Sequence, residues 1–350
     1  MNQSHTLDGI SIVITYFNEQ IESQRCLSAL VDSWKSLEFD KQRCIEITII
    51  DDASSLPPRN LPTQPRINIV RQARNQGVGI ARNLGAKLST YSYVHFLDSD
   101  VLVDPTFLER LFNLLETHPQ ALIVQGHYSK EPANQPASLF NWYMALSWYH
   151  NSVINVDALS HATFINSGCV TFQREYFRHF GGYPAEYIGS GGEEFGILQK
   201  IGDGVILQDQ TLINYHIFDS IPVRLRKLWR RGKNYLVTVV KNDKISVKCK
   251  TRYSYRVFSA LLMPFGLPLL LISPVLGGSV VIISITLYAL GSGGLFFFMV
   301  KEKGMLFGLI GSLFQSIEFF VASWAMLVGL SSTVLRRSLL PISVIKKYFV

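Results

Sequence analysis

The sequence predicts an α/β domain with a mostly parallel sheet flanked by helices, followed by transmembrane helices. The first observation is that short β-branched runs alternate with helix-like stretches from Ile10 to Gly126. The second is that no charged residue occurs from Val257 to Val300. An uncharged run of that length provides about two bilayer crossings at ~20 residues each.

The predicted strands are short apolar runs separated by turn residues. They are ISIVIT (10–15), IEITII (45–50), RINIV (66–70), YVHFL (93–97) and ALIVQG (121–126). Helix-like stretches lie between them, and a further aromatic-rich stretch at 135–161 is expected to pack on the sheet as a helix. We therefore expect helices on both faces of the sheet, as crossovers between parallel strands require.

Polar clusters follow three of these strands. They are TYFNE (15–19), DDASS (51–55) and DSD (98–100). Open sheets of this kind bind ligands in a crevice beyond the carboxyl ends of their strands. The sequence therefore places one binding crevice at the edge where these clusters meet.

Asp98 and Asp100 end a buried-looking strand with two carboxylates one residue apart. Like charges at close range need a cation or a shared proton to relieve their repulsion. Mg²⁺ commonly binds one or two protein carboxylates and completes its shell with phosphate oxygens and water. The alternative interpretation is a solvated turn that caps the helix predicted at Pro105.

Five motifs occur together in one order along the chain. They are VITYFNE (13–19), IIDDASS (49–55), NQGVGIARNLG (75–85), FLDSD (96–100) and GGYPAEYIGSGGEEFG (181–196). In this order they resemble the family 2 glycosyltransferases, and the resemblance covers roughly residues 10–235. It implies a GT-A-like nucleotide-diphospho-sugar transferase domain. The aromatic stretch 135–161 either packs on the sheet as a helix or forms part of an acceptor-binding wall.

The resemblance implies that a nucleotide-sugar donor lies against the strand ends. Two of the residues after the first strand would line the nucleobase pocket, and an aspartate after the second would accept a hydrogen bond from the base. Asp51 either contacts the nucleotide or caps a turn. The implied nucleotide-sugar-binding residues are Thr15 and Phe17 (nucleobase), Asp52 (base hydrogen bond), Asn18, Asp51, Arg82 and Asp98.

The glycine-rich segment favours a phosphate site over a dinucleotide fingerprint. Gly77 and Gly79 allow close backbone approach, and Arg82 would meet the donor diphosphate as a fixed cation or lie on the helix surface. Gly85 follows Gly79 by six residues, whereas the dinucleotide fingerprint needs three. A nicotinamide enzyme is thereby disfavoured.

The resemblance also implies a divalent metal and a catalytic base. Asp98 and Asp100 would hold Mg²⁺ or Mn²⁺ on the donor phosphates, while His216 is either a third metal contact or a packed side chain. Glu193 and Glu194 occupy the place of the family's usual Glu-Asp pair, whose aspartate is the base. Glu194 therefore takes the catalytic role, with Glu193 as the alternative.

The predicted membrane region contains three apolar segments, at about 257–277, 279–300 and 305–330. Prolines at 264, 268 and 274 permit either a kinked crossing or an interfacial element in the first segment. The positive-inside tendency favours two crossings and the length favours three, so both remain open. The resulting domains are a catalytic domain (1–235), a basic linker (236–256), the membrane region (257–335) and a basic tail (336–350).

Composition excludes several other classes of protein. The net charge of +7 is concentrated beside the apolar segments, where basic residues meet anionic lipid, so nucleic acid is not expected as a partner. Four scattered cysteines without a C-x-x-C pair argue against a zinc cage or a disulfide framework. One intramembrane acid, Glu318, makes a transporter a poor interpretation.

The function implied is an inverting, metal-dependent transfer of a sugar to a hydroxyl of a lipid-linked or cell-surface glycan. Because the N-terminus lacks a secretory signal pattern, we expect the catalytic domain on the cytoplasmic side of the inner membrane. Arg230, Arg231 and Gly232 resemble a motif of non-processive members, and the Q-x-x-R-W of processive synthases is absent. The alternatives are an inactive membrane scaffold and a processive polysaccharide synthase.

Overall fold

The structure is a computed structural model. It describes residues 7–153, 159–162, 164–185, 193–198, 200–201, 205–241 and 251–338. The chain forms two compact units, one of Met1–Ile188 with Glu193–Phe218 and one of Gly189–Gly192 with Asp219–Val350. The first unit ends at Phe218, and the helix that follows packs within the second unit. The catalytic domain expected at 1–235 stays a prediction.

One sheet forms the centre of the first unit. Its strands are β1 (Ile10–Tyr16), β2 (Ile45–Asp51), β3 (Ile67–Arg71), β4 (Tyr93–Asp98), β5 (Val101–Val103), β6 (Ile123–Tyr128), β7 (Leu159–Ala162), β8 (Cys169–Gln173) and β9 (Ile206–His216). Their order across the sheet is β3-β2-β1-β4-β8-β6-β9-β5, and β7 also pairs with β9.

The predicted parallel sheet is the part formed by β3, β2, β1 and β4. Beyond β4 the sheet is mixed, because β8 runs antiparallel to both β4 and β6. β5 cannot pair in parallel with β4, since only Ser99 and Asp100 separate them and a parallel crossover needs about a dozen residues. It pairs antiparallel with β9 instead.

Helices cover both faces of this sheet, as the alternating sequence predicts. They are α1 (Gln20–Lys35), α2 (Phe39–Arg43), α3 (Val78–Leu88), α4 (Phe107–Thr117), α5 (Leu139–Val153), α6 (Arg174–His179) and α7 (Glu193–Leu198). Ile12 and Ile14 of β1 pack in one core with α1 and α4, while Val13 packs in the other with α3 and α6. A strand buried on both faces explains the unbroken apolar run of β1.

The second unit is helical. It contains α8 (Ile221–Lys241), α9 (Thr251–Ile272), α10 (Pro274–Lys303) and α11 (Met305–Ser338). Three helices are long and apolar enough to cross a membrane, over Tyr255–Ile272, Pro274–Lys303 and Met305–Gly329. Of the two or three crossings expected, the described helices thus provide three candidates.

A proline marks one helix boundary in this region. Pro274 begins α10 directly after Ser273, whereas the sequence placed it in the apolar segment at about 257–277. Proline suits the first position of a helix because its missing N–H has no intrahelical acceptor there. Pro264 and Pro268 lie inside α9. Part of the predicted basic linker (242–250) and of the tail (339–350) lies outside the described residues.

Close backbone contacts join α8 to α11. A Cβ on Gly232 would lie 2.9 Å from the Cβ of Ala325, and a Cβ on Gly329 would meet the carbonyl oxygen of Lys233. Glu318, the acid inside the third candidate span, accepts a hydrogen bond at 2.6 Å from Nε of Arg224. An acid that is costly in hydrocarbon is thus paired with a cation of the preceding amphipathic helix.

Candidate active site

The strand register brings the predicted polar clusters to one edge of the sheet. Thr15 of β1 lies opposite Asp98 of β4, and Tyr16 lies opposite Asp51 of β2. These positions are the last residues of three neighbouring parallel strands or next to them. The polar segments named from the sequence therefore lie at one edge of the sheet, where ligands of open sheets bind.

Asp98 is held by contacts from three directions. Its Oδ1 accepts hydrogen bonds from Oγ1 of Thr15 at 2.9 Å and from Nη2 of Arg82 at 2.7 Å. Its backbone N–H donates to the carbonyl oxygen of Gly168 at 2.9 Å. A Cβ on Gly168 would lie 3.0 Å from Oδ2 of Asp98 and 3.0 Å from the hydroxyl oxygen of Tyr128. Glycine at 168 thus allows two polar groups to approach one backbone position.

Asp100 lies beside His216, because β5 and β9 pair Val101 with His216. Nε2 of His216 is 3.5 Å from Oδ2 of Asp100. The imidazole stacks on Phe218, with ring centroids 4.8 Å apart and an interplanar angle of 24°. The rings of Trp148 and His216 also pack edge to face, with centroids 4.7 Å apart. The aromatic rings fix the orientation of His216 toward the aspartate.

The two carboxylates of the DSD segment act on the same neighbours. Burial, followed by the charges of Asp98 and Asp100, raises the pKa of Tyr128 well above its ordinary value. Burial, followed by Asp100, Cys169 and Asp98, likewise raises the pKa of the Cys26 thiol. Both carboxylates therefore lie close enough to Tyr128 and Cys26 for their negative charges to act on the same two side chains.

The side chains at this site would hold a divalent cation only if a bound ligand supplied further oxygen atoms. Among the described residues, no group of three or more His, Cys, Asp or Glu side chains comes together to hold a metal ion. Asp100 and His216 offer a carboxylate and an imidazole. Mg²⁺ and Mn²⁺ at phosphate-transfer sites take few protein ligands and complete their shells with phosphate oxygens and water. The pair therefore fits a metal that arrives with a diphosphate.

Arg82 lies beneath the site rather than on an open surface. The residue is 1% exposed, and its Nη1 is 3.6 Å from Oε1 of Glu193. Burial alone would lower the pKa of Arg82, but Asp98 and the nearby acids raise it. The guanidinium predicted to meet the diphosphate thus faces two carboxylates of the protein. Glu194, next along α7, is half-buried.

Asp51 has the geometry of the turn-capping alternative. It is fully buried, its Oδ1 accepts a hydrogen bond from the N–H of Ser54 at 2.8 Å, and its Oδ2 pairs with Arg71. Asn18 adopts a positive φ of 59°, and its Oδ1 accepts hydrogen bonds from the N–H and hydroxyl of Ser55, each at 2.8 Å. Both side chains shape the loops around the crevice.

Asp52 organises the loop before α3. Its Oδ1 accepts from Nε2 of Gln72 and the N–H of Gln76, and its Oδ2 accepts from the N–H of Gly77, all at 2.8 Å. Burial raises the pKa of Asp52, and the two backbone hydrogen bonds oppose that rise. Phe17 is 46% exposed and directly follows β1. A flat exposed ring at this edge has the character that nucleobase stacking requires.

Tyr128 and Tyr183 had no assigned role in the sequence motifs, and Trp148 belongs to the stretch 135–161, expected to pack as a helix or to line an acceptor wall. Tyr128 ends β6, Trp148 lies on α5, and the ring of Tyr183 is 5.1 Å from the guanidinium carbon of Arg82. The aromatic stretch 135–161 and the GGY segment were the available signals for Trp148 and Tyr183. Nothing local marked Tyr128, whose place depends on the pairing of β6 with β8 and β9. The glycines at 191 and 192 lie outside the described residues.

Comparisons with known proteins agree with this architecture. The family described as Glycosyl transferase family 2 matches residues 11–181. Polypeptide N-acetylgalactosaminyltransferase 8 of Drosophila melanogaster is 25% identical over 71% of this chain and 43% of its own length. Poly(ribitol-phosphate) beta-N-acetylglucosaminyltransferase TarP of Staphylococcus aureus is 30% identical over 35% of this chain and 37% of its own length. The chain thus spans under half the length of these relatives.

A solved structure shows the same fold over most of the chain. The mannosyltransferase PcManGT of Pyrobaculum calidifontis, in complex with GDP-Man and Mn²⁺, aligns with a TM-score of 0.53. It is 14% identical, and the alignment covers 93% of this chain and 88% of that one. The motifs, the sheet order and the family match together identify residues 11–181 as a segment of glycosyltransferase family 2.

Proposed function

We propose that the protein is an inverting glycosyltransferase. It transfers a sugar from a nucleotide-diphospho-sugar to a hydroxyl of a lipid-linked or cell-surface glycan at the cytosolic membrane face. The observation that carries this proposal is that Arg82 joins Asp98 of the DSD segment to Glu193 of α7, while Asp100 of the same segment lies beside His216. The carboxylates that would hold the metal and the candidate base would then lie close to each other. A displacement at a single carbon requires this proximity.

The donor end of the reaction lies at the DSD segment. Asp100 and His216 would hold Mg²⁺ or Mn²⁺ on the donor diphosphate, with Asp98 of the same segment beside them. The bound ion would stabilise the negative charge of the departing nucleoside diphosphate. The relative crystallised with GDP-Man and Mn²⁺ supports this choice of ligand class. Phe17 supplies the stacking surface for the nucleobase, and Asp52 holds the loop that carries Gly77 toward the phosphates.

The acceptor end requires a general base. The acceptor oxygen attacks the anomeric carbon, its proton passes to a carboxylate, and the bond from the anomeric carbon to the diphosphate oxygen breaks. We assign the base to Glu194, because Glu193 is 7% exposed and faces Arg82. A well-placed base contributes about 10²–10⁴ in rate. Attack opposite to the leaving diphosphate inverts the anomeric configuration.

The acceptor is proposed to be lipid-linked because the same chain carries candidate membrane spans. The domain that holds the DSD and α7 segments is followed in sequence by three such helices. A lipid-linked acceptor diffuses in two dimensions, so tethering raises the frequency of its encounters with the enzyme. Arg226, Arg230 and Arg231 of α8 are exposed, and such residues suit anionic lipid headgroups on the cytoplasmic side.

Transfer of labelled sugar tests the function directly. Purified enzyme in lipid vesicles is incubated with labelled UDP- and GDP-sugars and lipid extracts, and the products are separated into lipid and aqueous fractions. The proposal expects label in the lipid fraction, dependent on Mn²⁺ and lost in Asp100→Ala. Transfer to soluble protein acceptors alone would reject the lipid acceptor. Complete absence of transfer and of donor hydrolysis would favour the inactive scaffold, and long labelled chains would favour a processive synthase.

A further inference from the structure

We infer that Arg82 is a positioning residue, which joins the donor-side carboxylate Asp98 to the helix that carries the base. The inference rests on the proposed function and deepens it. It replaces the role implied by family resemblance, in which Arg82 meets the diphosphate itself. One buried cation would then set the distance between the two halves of the reaction centre.

The first support is where α3 places the guanidinium. Arg82 lies in the middle of α3, which packs against β1 so closely that a Cβ on Gly85 would overlap the side chain of Val13. At the start of α3, a Cβ on Gly79 would lie 3.2 Å from Cβ of Tyr183 and 3.8 Å from Cβ of Glu193. The helix is therefore packed between the sheet and the α7 segment, and Arg82 cannot lie on an exposed surface.

The second support is the charge balance around Arg82. A buried guanidinium is stable only with opposite charges close by. Asp98 provides one at 2.7 Å and Glu193 provides another at 3.6 Å, and these acids belong to β4 and α7, which are distant in sequence. Tyr183 adds the face of its ring at 5.1 Å. Arg82 thus attracts two elements that no described backbone ladder joins directly.

The third support is that Arg82 contacts only one oxygen of Asp98 and pairs with Glu193 on α7. Oδ1 of Asp98 receives both Thr15 and Arg82, so its Oδ2 is the oxygen on the side of Gly168 and Tyr128. On α7, neighbouring residues point about 100° apart around the axis. Glu193 is the glutamate whose carboxylate lies 3.6 Å from Arg82, and Glu194 leaves the helix axis about 100° from it. Arg82 therefore leaves Oδ2 of Asp98 for the donor side and, by holding Glu193, sets the position of the helix that carries Glu194.

The inference predicts that removing the charge of Arg82 lowers turnover but leaves the affinity for the donor nearly unchanged. Replacing Arg82 by Met keeps much of the side-chain volume but removes the charge that aligns Asp98 and Glu193. We expect kcat to fall at least 100-fold, since misplacement of reacting groups by about 1 Å costs about 10²-fold. The donor KM should change less than about threefold, because Arg82 makes no contact with the donor in this account. Arg82→Lys, which retains a buried cation, should recover at least tenfold of the lost kcat.

A binding measurement separates this inference from the proposed function. Calorimetry with UDP and with GDP, each with Mn²⁺, gives the affinity without turnover. If the wild-type protein binds neither nucleotide, the proposed function itself fails. If Arg82→Met binds the active nucleotide within about fivefold of the wild-type affinity while kcat collapses, the inference holds. A loss of affinity above 30-fold with kcat retained would overturn it in favour of direct diphosphate contact.

A double-mutant cycle provides the second test, which asks whether Arg82 acts through Glu193. If Arg82 acts through Glu193, the losses in kcat caused by Arg82→Met and Glu193→Gln should overlap, so that the double variant is less impaired than their product. Multiplicative losses would overturn the inference. Arg110→Met is the matched control: Arg110 donates to the carbonyl oxygen of Thr211 at 2.6 Å, away from the site, and its loss should leave kcat unchanged. Since Arg82→Lys and Glu193→Gln keep the buried site occupied by polar groups, they remain informative if Arg82→Met does not fold.

Discussion

Thr15 and Asp98 lie directly opposite each other in the parallel pairing of β1 and β4, and the threonine hydroxyl donates a 2.9 Å hydrogen bond to the carboxylate. The contact joins the ends of the first and fourth strands at the edge where the candidate site lies. It gives the threonine of the TYFNE segment a specific task, which is to orient a carboxylate. That task can be tested apart from nucleobase binding.

Thr15→Val should remove this hydrogen bond while keeping the β-branched shape. We expect kcat/KM to fall about tenfold, since one hydrogen bond to a charged group is worth about 1.5 kcal/mol. Steady-state kinetics with the preferred donor measures the effect. Thr15→Ser keeps the hydroxyl and should retain most of the activity, so equal losses in both variants would contradict the orienting role.

Gly168→Ala should disturb the donor side of the site. A Cβ at 168 would lie 3.0 Å from Oδ2 of Asp98 and from the hydroxyl oxygen of Tyr128, which is tighter than normal contact. We expect the Mn²⁺ concentration needed for half-maximal activity to rise about tenfold, equivalent to about 1.4 kcal/mol. Gly278→Ala is the control, because nothing lies within 4 Å of its Cβ position. An unchanged metal requirement in Gly168→Ala would speak against this arrangement.

The two α7 glutamates should behave differently. Glu194→Gln should reduce kcat about 10²–10⁴-fold, the contribution of a well-placed base. Glu194→Asp restores the family's usual residue and should keep measurable turnover. Single-turnover kinetics with both variants and with Glu193→Gln distinguishes the roles. Full loss in Glu193→Gln with normal turnover in Glu194→Gln would reverse the assignment.

The Arg224–Glu318 pair should stabilise the helical unit. The two side chains are 19% and 12% exposed, so each carries a largely buried charge that its partner compensates. Glu318→Gln should lower the free energy of unfolding in detergent by about 2–4 kcal/mol. Thermal unfolding measures the change, and the double variant Arg224→Met with Glu318→Leu should regain most of the loss. Asp32→Asn, in an exposed pair with Lys35, should have almost no effect.

His95 should make the first unit less stable in acid. Burial lowers its pKa to about 3, from an ordinary value of 6.5, so the unfolded chain binds a proton that the folded protein excludes. Stability should therefore decrease as the pH falls from about 6.5 toward 3, by up to about 1.4 kcal/mol per pH unit from this residue. Chemical unfolding at pH 7 and pH 5 measures the slope. His95→Gln should flatten it, and an unchanged slope would assign the effect to other groups.

The sequence indicated the parallel half of the sheet and the edge that carries the site, because both depend on local patterns. Apolar runs marked β1, β2 and β4. Asp98 and Asp100 could be placed at the site because they lie at the end of β4 and just after it. The mixed half could not be predicted, since β8 and β9 carry the same strand signals whether they pair parallel or antiparallel. Their partners are distant in sequence.

Buried polar side chains were also beyond the sequence. Arginines are usually exposed, so nothing in the NQGVGIARNLG segment indicated that Arg82 would lie between Asp98 and Glu193. The same holds for Asp51, whose turn-capping geometry was only one of two interpretations. In both residues the deciding contact comes from another part of the chain, which propensities and periodicity do not report.

Calorimetric titration of UDP and GDP into the wild-type protein and Asp100→Ala, with and without Mn²⁺, tests the central claim most directly. The claim is that the DSD segment holds a divalent cation on a nucleoside diphosphate. We predict that one nucleotide binds the wild-type protein at least tenfold more tightly with Mn²⁺ than without it, and that Asp100→Ala loses this gain. Nucleotide binding that is equally strong without Mn²⁺ and in Asp100→Ala would contradict the account.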